Sequence, residues 1–518
     1  MEDSVTSLPS RRSGGRLARR QMRSMPLPED RRPVYAGMKG GSYQPLDAAA
    51  VVAVEQTIYQ ILDELGLSQA PPSGVEYMRS AGAIYGDDGR VRFPRAVIDK
   101  TLEMAASELV LHAQDPKFDL NLSGQNVHFG TAGAAVHMVD VAANNYREST
   151  LQDIYDAARI VQQMDNIHFF QRPMVARDII DPAEMDLNTV YAALKGTTKH
   201  LGTSFTEAEF MPDIIAMLHD IAGGEAAWRA RPFVSNSNCF VVPPLRFATE
   251  SCLVMEVAVN AGMPVLLLSA GQAGATAPAS IAGAVAQAVA EVLAGLVYVN
   301  AMSPGHPCVA GAWPFVSDLR TGAMSGGSGE QALLTAACAQ MLNHFGLPSG
   351  SAAGMADAKM PDAQSGYEKG ISNVMAGLAG LNMVYESAGM HASLMGFCHE
   401  SLIIDNDMLG QAMRCVRGIE VTPETLDLSV LQDVCLDGPG HYLGHNHTIS
   451  LMQTEYVYPS LSDRSSPKEW EENGKPNLVE QATARKEQIL ASPPPSHISD
   501  QLDSTLREKY PVHLGEKQ

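Results

Sequence analysis

From about residue 125 onward, short apolar runs rich in β-formers alternate with helical patterns, and this alternation limits the possible folds more than any other feature of the chain. The runs lie near 127–131, 167–174, 199–205, 233–241, 264–270, 307–313, 349–355 and 382–388. Helical periodicity follows at 150–164, 185–195, 206–221, 247–261, 279–301, 328–345, 362–380 and 399–416. Parallel strands need a crossover between them and a helix is the usual one, so eight such units predict an α/β fold, a (β/α)8 TIM barrel over 125–417. A doubly wound open sheet uses similar units, but no Gly-x-Gly-x-x-Gly follows the first run.

The flanks read differently. Residues 1–32 hold eight arginines and almost no aliphatic periodicity, which predicts a disordered basic arm. Residues 33–124 predict an α+β lead-in: a helix from Asp47 to Leu67, a Pro-Pro-Ser-Gly turn at 71–74, a hairpin turn at Gly86-Asp87-Asp88-Gly89 and a helix near 95–107. Residues 418–518 change character again and predict a C-terminal extension that wraps the barrel, with a charged helical stretch through 467–510.

Lys and Arg number 37 against 58 Asp and Glu, a formal charge of −21, which argues against nucleic acid or an anionic membrane surface as partner. A small molecule or another protein fits better. The seven cysteines are widely spaced with no C-x2-C pair, so reduced thiols and a cytoplasmic location are expected. The most apolar stretch, 281–299, is interrupted by Gln287 and Glu291, and no membrane span is expected.

In a parallel barrel the reactive groups gather where the strands end. After the 264–270 run comes a small-residue loop, Ser269 to Pro278, where a bulky flat ligand could approach the backbone and amides could donate to it. Trp313 and Phe315 follow the 307–313 run and would supply aromatic faces, which is how a quaternary ammonium is recognised. The densest polar cluster, Asp357, Lys359, Asp362, Gln364, Tyr367, Glu368 and Lys369, follows the 349–355 run. Part of it reads as helix-start chemistry, with Asp362 in a first turn and Glu368 on an exposed face. Glu386, directly after Tyr385, is a lone carboxylate at the end of an apolar strand, where it needs a cationic partner such as a substrate. The groups His391, Cys398, His399 and His441, His445, His447 lack zinc-site spacing, and no metal site is expected.

The segments Ser269–Ser280, Ala282–Asn300 and Pro304–Arg320 and the block from Gly354 to Glu368 together resemble the trimethylamine methyltransferase family. The likeness extends to Arg31-Arg32-Pro33-Val34-Tyr35 and to the tail around Leu443-Gly444-His445-Asn446-His447-Thr448. The resemblance implies a TIM barrel with a methylated amine at its mouth, where the Co(I) of a separate corrinoid protein attacks the methyl carbon in an SN2 step. It implies no tightly bound cofactor, cobalamin being supplied by the partner, and the loop with Gly271, Gln272, Gly274 and Thr276 would face that corrinoid. A homo-oligomer is expected.

Founding members of the family carry pyrrolysine within or beside the block matching 356–364, and this chain has only standard residues there. A quaternary ammonium already carries full charge and departs as a neutral amine, so it needs less electrophilic help than a tertiary amine. The expected substrate is therefore a betaine such as glycine betaine. Asp357, Lys359 and Glu386 are expected to be catalytic, and Trp313, Phe315, Arg172, Gln364 and Tyr385 to bind substrate, with Lys359 or Arg172 facing its carboxylate.

Overall fold

The computed structural model describes residues 27–515 except 437, 494 and 496. The expected basic arm lies outside the described residues as far as residue 26. The barrel is built from strands β1 (Asn126–Phe129), β2 (Phe170–Gln171), β3 (Leu201–Thr203), β4 (Val234–Asn238), β5 (Val265–Ser269), β6 (Cys308–Ala312), β7 (Ser349–Ala352) and β8 (Met383–Tyr385). Neighbours are parallel from β2 through to β8, and β8 pairs in parallel with β1. A parallel bridge between Gly130 and Phe169 joins β1 to β2 and closes the ring. The expected TIM barrel is the observed one, strand by strand.

Each strand is followed by its helix: α1 (Leu151–Gln162), α2 (Pro182–Gly196), α3 (Met211–Ala222), α4 (Thr249–Asn260), α5 (Ile281–Met302), α6 (Gly329–His344), α7 (Ala363–Leu378) and α8 (His399–Arg417). Their starts are written in the sequence. Thr150 and Asp153 form a capping box on α1, Asp181 precedes Pro182 at the start of α2, and Asp362 caps α7 through Ser365. Helix α5 is apolar and long enough to cross a bilayer, yet 83% of its apolar window is buried. It packs against β5 and β6 on one side and against the lead-in helices Ala48–Gln60, Pro72–Ser80 and Arg95–Met104 on another. An all-round apolar helix is what such burial requires.

One local expectation fails. Pro71-Pro72-Ser73-Gly74 is not a turn but the entry to the helix Pro72–Ser80, because proline at the first helical position needs no N–H partner there. The hairpin at 86–89 is present, joining Ile84–Tyr85 to Arg90–Arg92. Residues 36–417 and 459–515 belong to one compact unit. Within it, the helix Leu478–Ala491 packs on α8, where Lys486 pairs with Glu400 at 2.6 Å. Residues 418–458 belong to a second unit, holding the short helices Leu428–Cys435 and Asn446–Leu451.

Candidate functional site

Four positions in or directly beside the barrel strands are glycines: Gly130, Gly202, Gly311 and Gly350. A Cβ on Gly350 would stand 2.8 Å from the Tyr385 ring, and one on Gly130 would overlap the Phe169 ring. Gly202 lies under the Gln171 side chain and Gly311 under Leu266. Missing side chains on these strands leave room for large ones on their neighbours. Three aromatic rings occupy that room. Phe169 meets Tyr385 edge-on at 5.1 Å between centroids, and Trp313 meets Tyr385 at 5.0 Å, tilted by 41°.

Trp313, Tyr385 and Phe169 are all buried. The indole N–H of Trp313 has no acceptor, although a buried Trp ordinarily finds one. Glu386 follows Tyr385 directly, is 1% exposed, and has a φ of +61°, a left-handed conformation that few non-glycine residues adopt. Its Oε2 is buried without a partner, and burial alone pushes the carboxyl up to about 8. A second buried carboxylate shows how unusual this is. Glu291 accepts from the Ser269 hydroxyl at 2.5 Å, the Leu245 amide at 2.8 Å and Gln287 at 3.2 Å.

Arg172 stands where β2 ends, its amide donating to Gly202 O at 2.8 Å and so extending the pairing with β3. Its half-buried guanidinium has no hydrogen-bond or ion-pair partner among the described residues, and burial lowers its pKa while Asp186 opposes the shift. Asp186 itself is engaged by the Thr206 amide and hydroxyl.

Two loops continue the β5–β6 pairing above the barrel. Gln272–Ala273 runs parallel to Phe315–Val316, with Trp313 N donating to Ser269 O at 2.8 Å and Phe315 N to Gly271 O at 2.8 Å. Phe315 is thereby buried in this ledge. The small-residue loop does not offer the free amides expected of it. Those of Ala275, Thr276 and Ala277 donate to Gln272 O, Gly274 N donates to Ala277 O, and Gln272 N donates to the Thr276 hydroxyl. Gly274, with φ +89°, turns the chain, and residues 274–276 are exposed at the rim.

The polar block after β7 is held by hydrogen bonds of its own. Asp357 accepts from the Ser325 hydroxyl at 2.8 Å, the Gly326 amide at 2.8 Å and the Ser393 hydroxyl at 2.6 Å, and so ties together the loops that follow β6, β7 and β8. Gln364 donates to Glu368 at 2.8 Å, and Glu368 accepts from the amides of Asp357 and Ala358. Glu368 is therefore buried, against the expectation of an exposed face. Lys359 is exposed and its ammonium rests on Asp357 O at 2.5 Å. Lys369 pairs with Asp405 at 2.7 Å in the interior. Sequence reasoning missed Phe169, Gln171 and the four glycines. Their signal was glycine recurring inside strand runs, which marks close approach.

Among the described residues no three His, Cys, Asp or Glu side chains are placed to hold a metal ion. His391 bonds Ser401, and His399 approaches Asp153 O. What the strand ends offer is an aromatic wall, a carboxyl without a partner and a guanidinium without a partner. An aromatic wall can receive a cationic head, and a guanidinium an anionic tail.

Residues 12–511 match the family model described as Trimethylamine methyltransferase (MTTB). The glycine betaine methyltransferase of Desulfitobacterium hafniense (strain Y51) is 30% identical over 467 residues, covering 90% of this chain and 96% of that protein. The trimethylamine methyltransferase MttB of Methanosarcina thermophila is 30% identical over 450 residues, covering 85% and 91%. Among solved structures, the monomethylamine methyltransferase MtmB of Methanosarcina barkeri aligns over 88% of this chain and 95% of its own, at 12% identity and a TM-score of 0.47.

Proposed function

The chain belongs to the trimethylamine methyltransferase family, and from that premise we propose that it moves a methyl group from a quaternary methylated amine, glycine betaine or a similar betaine, to a reduced corrinoid carried by a separate protein. The observation that carries the choice of substrate is the set of unpartnered groups at the strand ends: the Trp313–Tyr385 wall, Glu386 and Arg172. The aromatic faces receive the trimethylammonium head. Arg172 receives the carboxylate, since Lys359 is exposed and already engaged. The buried aromatic wall excludes water and holds one methyl group outward for in-line attack.

The corrinoid supplies the nucleophile. The exposed rim residues Gly274, Ala275 and Thr276, with Gly271 and Gln272 at their base, form the surface it would approach. We place this chemistry in the cytoplasm, in keeping with seven cysteines of which none is paired.

Mixing the protein with glycine betaine and a reduced corrinoid protein should convert the corrinoid spectrum to that of its methylated form. No conversion with any of a panel of betaines would overturn the reading. Saturable betaine binding with no demethylated product would make the protein a binder instead.

A further inference from the structure

We propose that residues 418–458 form a contact surface for a second copy of this chain. This goes beyond the methyl-transfer reading and does not depend on the substrate chosen there. Among the described residues of the segment only Val430 and Val434 are buried. The stretch that follows, 459–515, is anchored differently, with Leu461, Ala482, Ile489, Ile498, Leu506 and Leu514 all buried. Yet 418–458 is not short of apolar residues. Its 41 positions carry 10 of the 22 large apolar side chains that stand exposed among the described residues.

The helix Leu428–Cys435 shows the arrangement most clearly. Val430 and Val434, four residues apart, form its buried face. Leu428, Leu431 and Cys435 are exposed, and spacings of three and four place them together on a second face. Leu436 and Leu443, beyond the helix end, are 76% and 80% exposed. A helix with two apolar faces needs both of them covered. A segment of this length with two buried side chains also has no core to hold it. The usual substitutes are missing among the described residues, since Cys435 is free and no side-chain group is placed to hold an ion.

Area and charge choose the occupant. Ten large side chains of roughly 200 Å² each, exposed by about two-thirds on average, offer on the order of 1,000 Å², against about 800 Å² per partner in a stable interface. The segment has six Asp and Glu and no Lys or Arg, so an anionic membrane or a nucleic acid would be repelled. A corrinoid carrier, on the methyl-transfer reading, must leave after every transfer, and transient interfaces are smaller and more polar. An apolar surface of this extent needs cover that is always present. Another copy of the chain is there at equal concentration whenever the chain is.

Sedimentation and thiol labelling test this on the full chain with no ligand added. The wild type at micromolar concentration should sediment with at least twice the mass of one chain. Cys435 and Cys415 are both exposed in the single chain, so a maleimide should label them alike unless one is covered. In the assembled wild type Cys435 should react at least about tenfold more slowly than Cys415. Leu428→Glu combined with Leu431→Glu, both at exposed positions, should sediment as one chain with an unchanged circular dichroism spectrum and equal labelling of the two thiols. Ile84→Glu, at a similarly exposed apolar residue of the lead-in, should assemble as the wild type does.

A wild type that sediments as one chain would overturn the proposal. So would an assembly in which Cys435 reacts as fast as Cys415, or one that survives both glutamates, since another surface would then join the copies. A single chain whose Cys435 became shielded only on adding a corrinoid protein would give the surface to that partner instead. Sedimentation and labelling of the wild type decide even if the double variant does not fold.

Discussion

Two carboxylate-bearing regions stand a strand apart, and they are opposites. In the block after β7, Asp357 and Glu368 have their oxygens filled by hydroxyls, amides and Gln364. At the tip of β8, Glu386 is more deeply buried than Asp357 and has no donor for its Oε2. The first region contains many charges and holds loops together. The second contains one and holds nothing. The difference teaches that the density of polar residues in a sequence marks architecture as readily as chemistry, whereas an unsatisfied buried group calls for a ligand.

The largest test of this contrast is the pH dependence of stability. The carboxyl of Glu386 stands near 8 in the folded chain against an ordinary value of 4.5, so the folded state binds the proton more tightly. Stability is complete below pH 4.5 and is lost as pH rises through 8, by about 5 kcal/mol in all at about 1.4 kcal/mol per unit. Denaturant melts between pH 5 and 8.5 should show that slope in the wild type and a flatter one in Glu386→Gln. Equal slopes would mean the carboxyl has a partner.

Next in size is Lys369→Met, which leaves Asp405 buried without its cation. It should lower unfolding free energy by about 3–5 kcal/mol, measured by urea titration. Asp357→Ala releases three donors at once and should destabilise by about 2–3 kcal/mol. If it instead abolished betaine binding while melting like the wild type, the two regions would have exchanged roles.

Trp313→Leu removes an aromatic face and should weaken betaine binding about tenfold, or about 1–2 kcal/mol, and, because the ring is buried, should also lower the melting temperature. The smallest effect belongs to Lys359→Ala. Its exposed ammonium should matter less than twofold to Kd, and a tenfold loss would return it to the carboxylate-binding role given above to Arg172.

The barrel was legible because its pattern is local and repeated: every strand run and every following helix appears where the apolar periodicity puts it. Turn chemistry was less so, since Pro71-Pro72 reads equally as a turn or a helix entry until the first turn's partners are known. The site divides along the same line. Trp313 was singled out as an aromatic at a strand end, and Glu386 as a lone carboxylate in an apolar run with Tyr385 beside it. The partners of Asp357 were not legible in the same way, since Ser325 and Ser393 lie 32 and 36 residues distant from it. Phe169 escaped notice because its neighbour across the barrel seam, Gly130, lies 39 residues away.

The glycines under the rings have one more consequence. Tyr385 leans on the bare backbone of Gly350, and Phe169 on that of Gly130, so no side chain behind either ring can be enlarged or trimmed to shift it by small steps. The wall's position is inherited from strand register, a quantity that changes only in jumps of whole residues. A lineage of such barrels would then change its choice of amine by exchanging the rings themselves, not by adjusting what supports them.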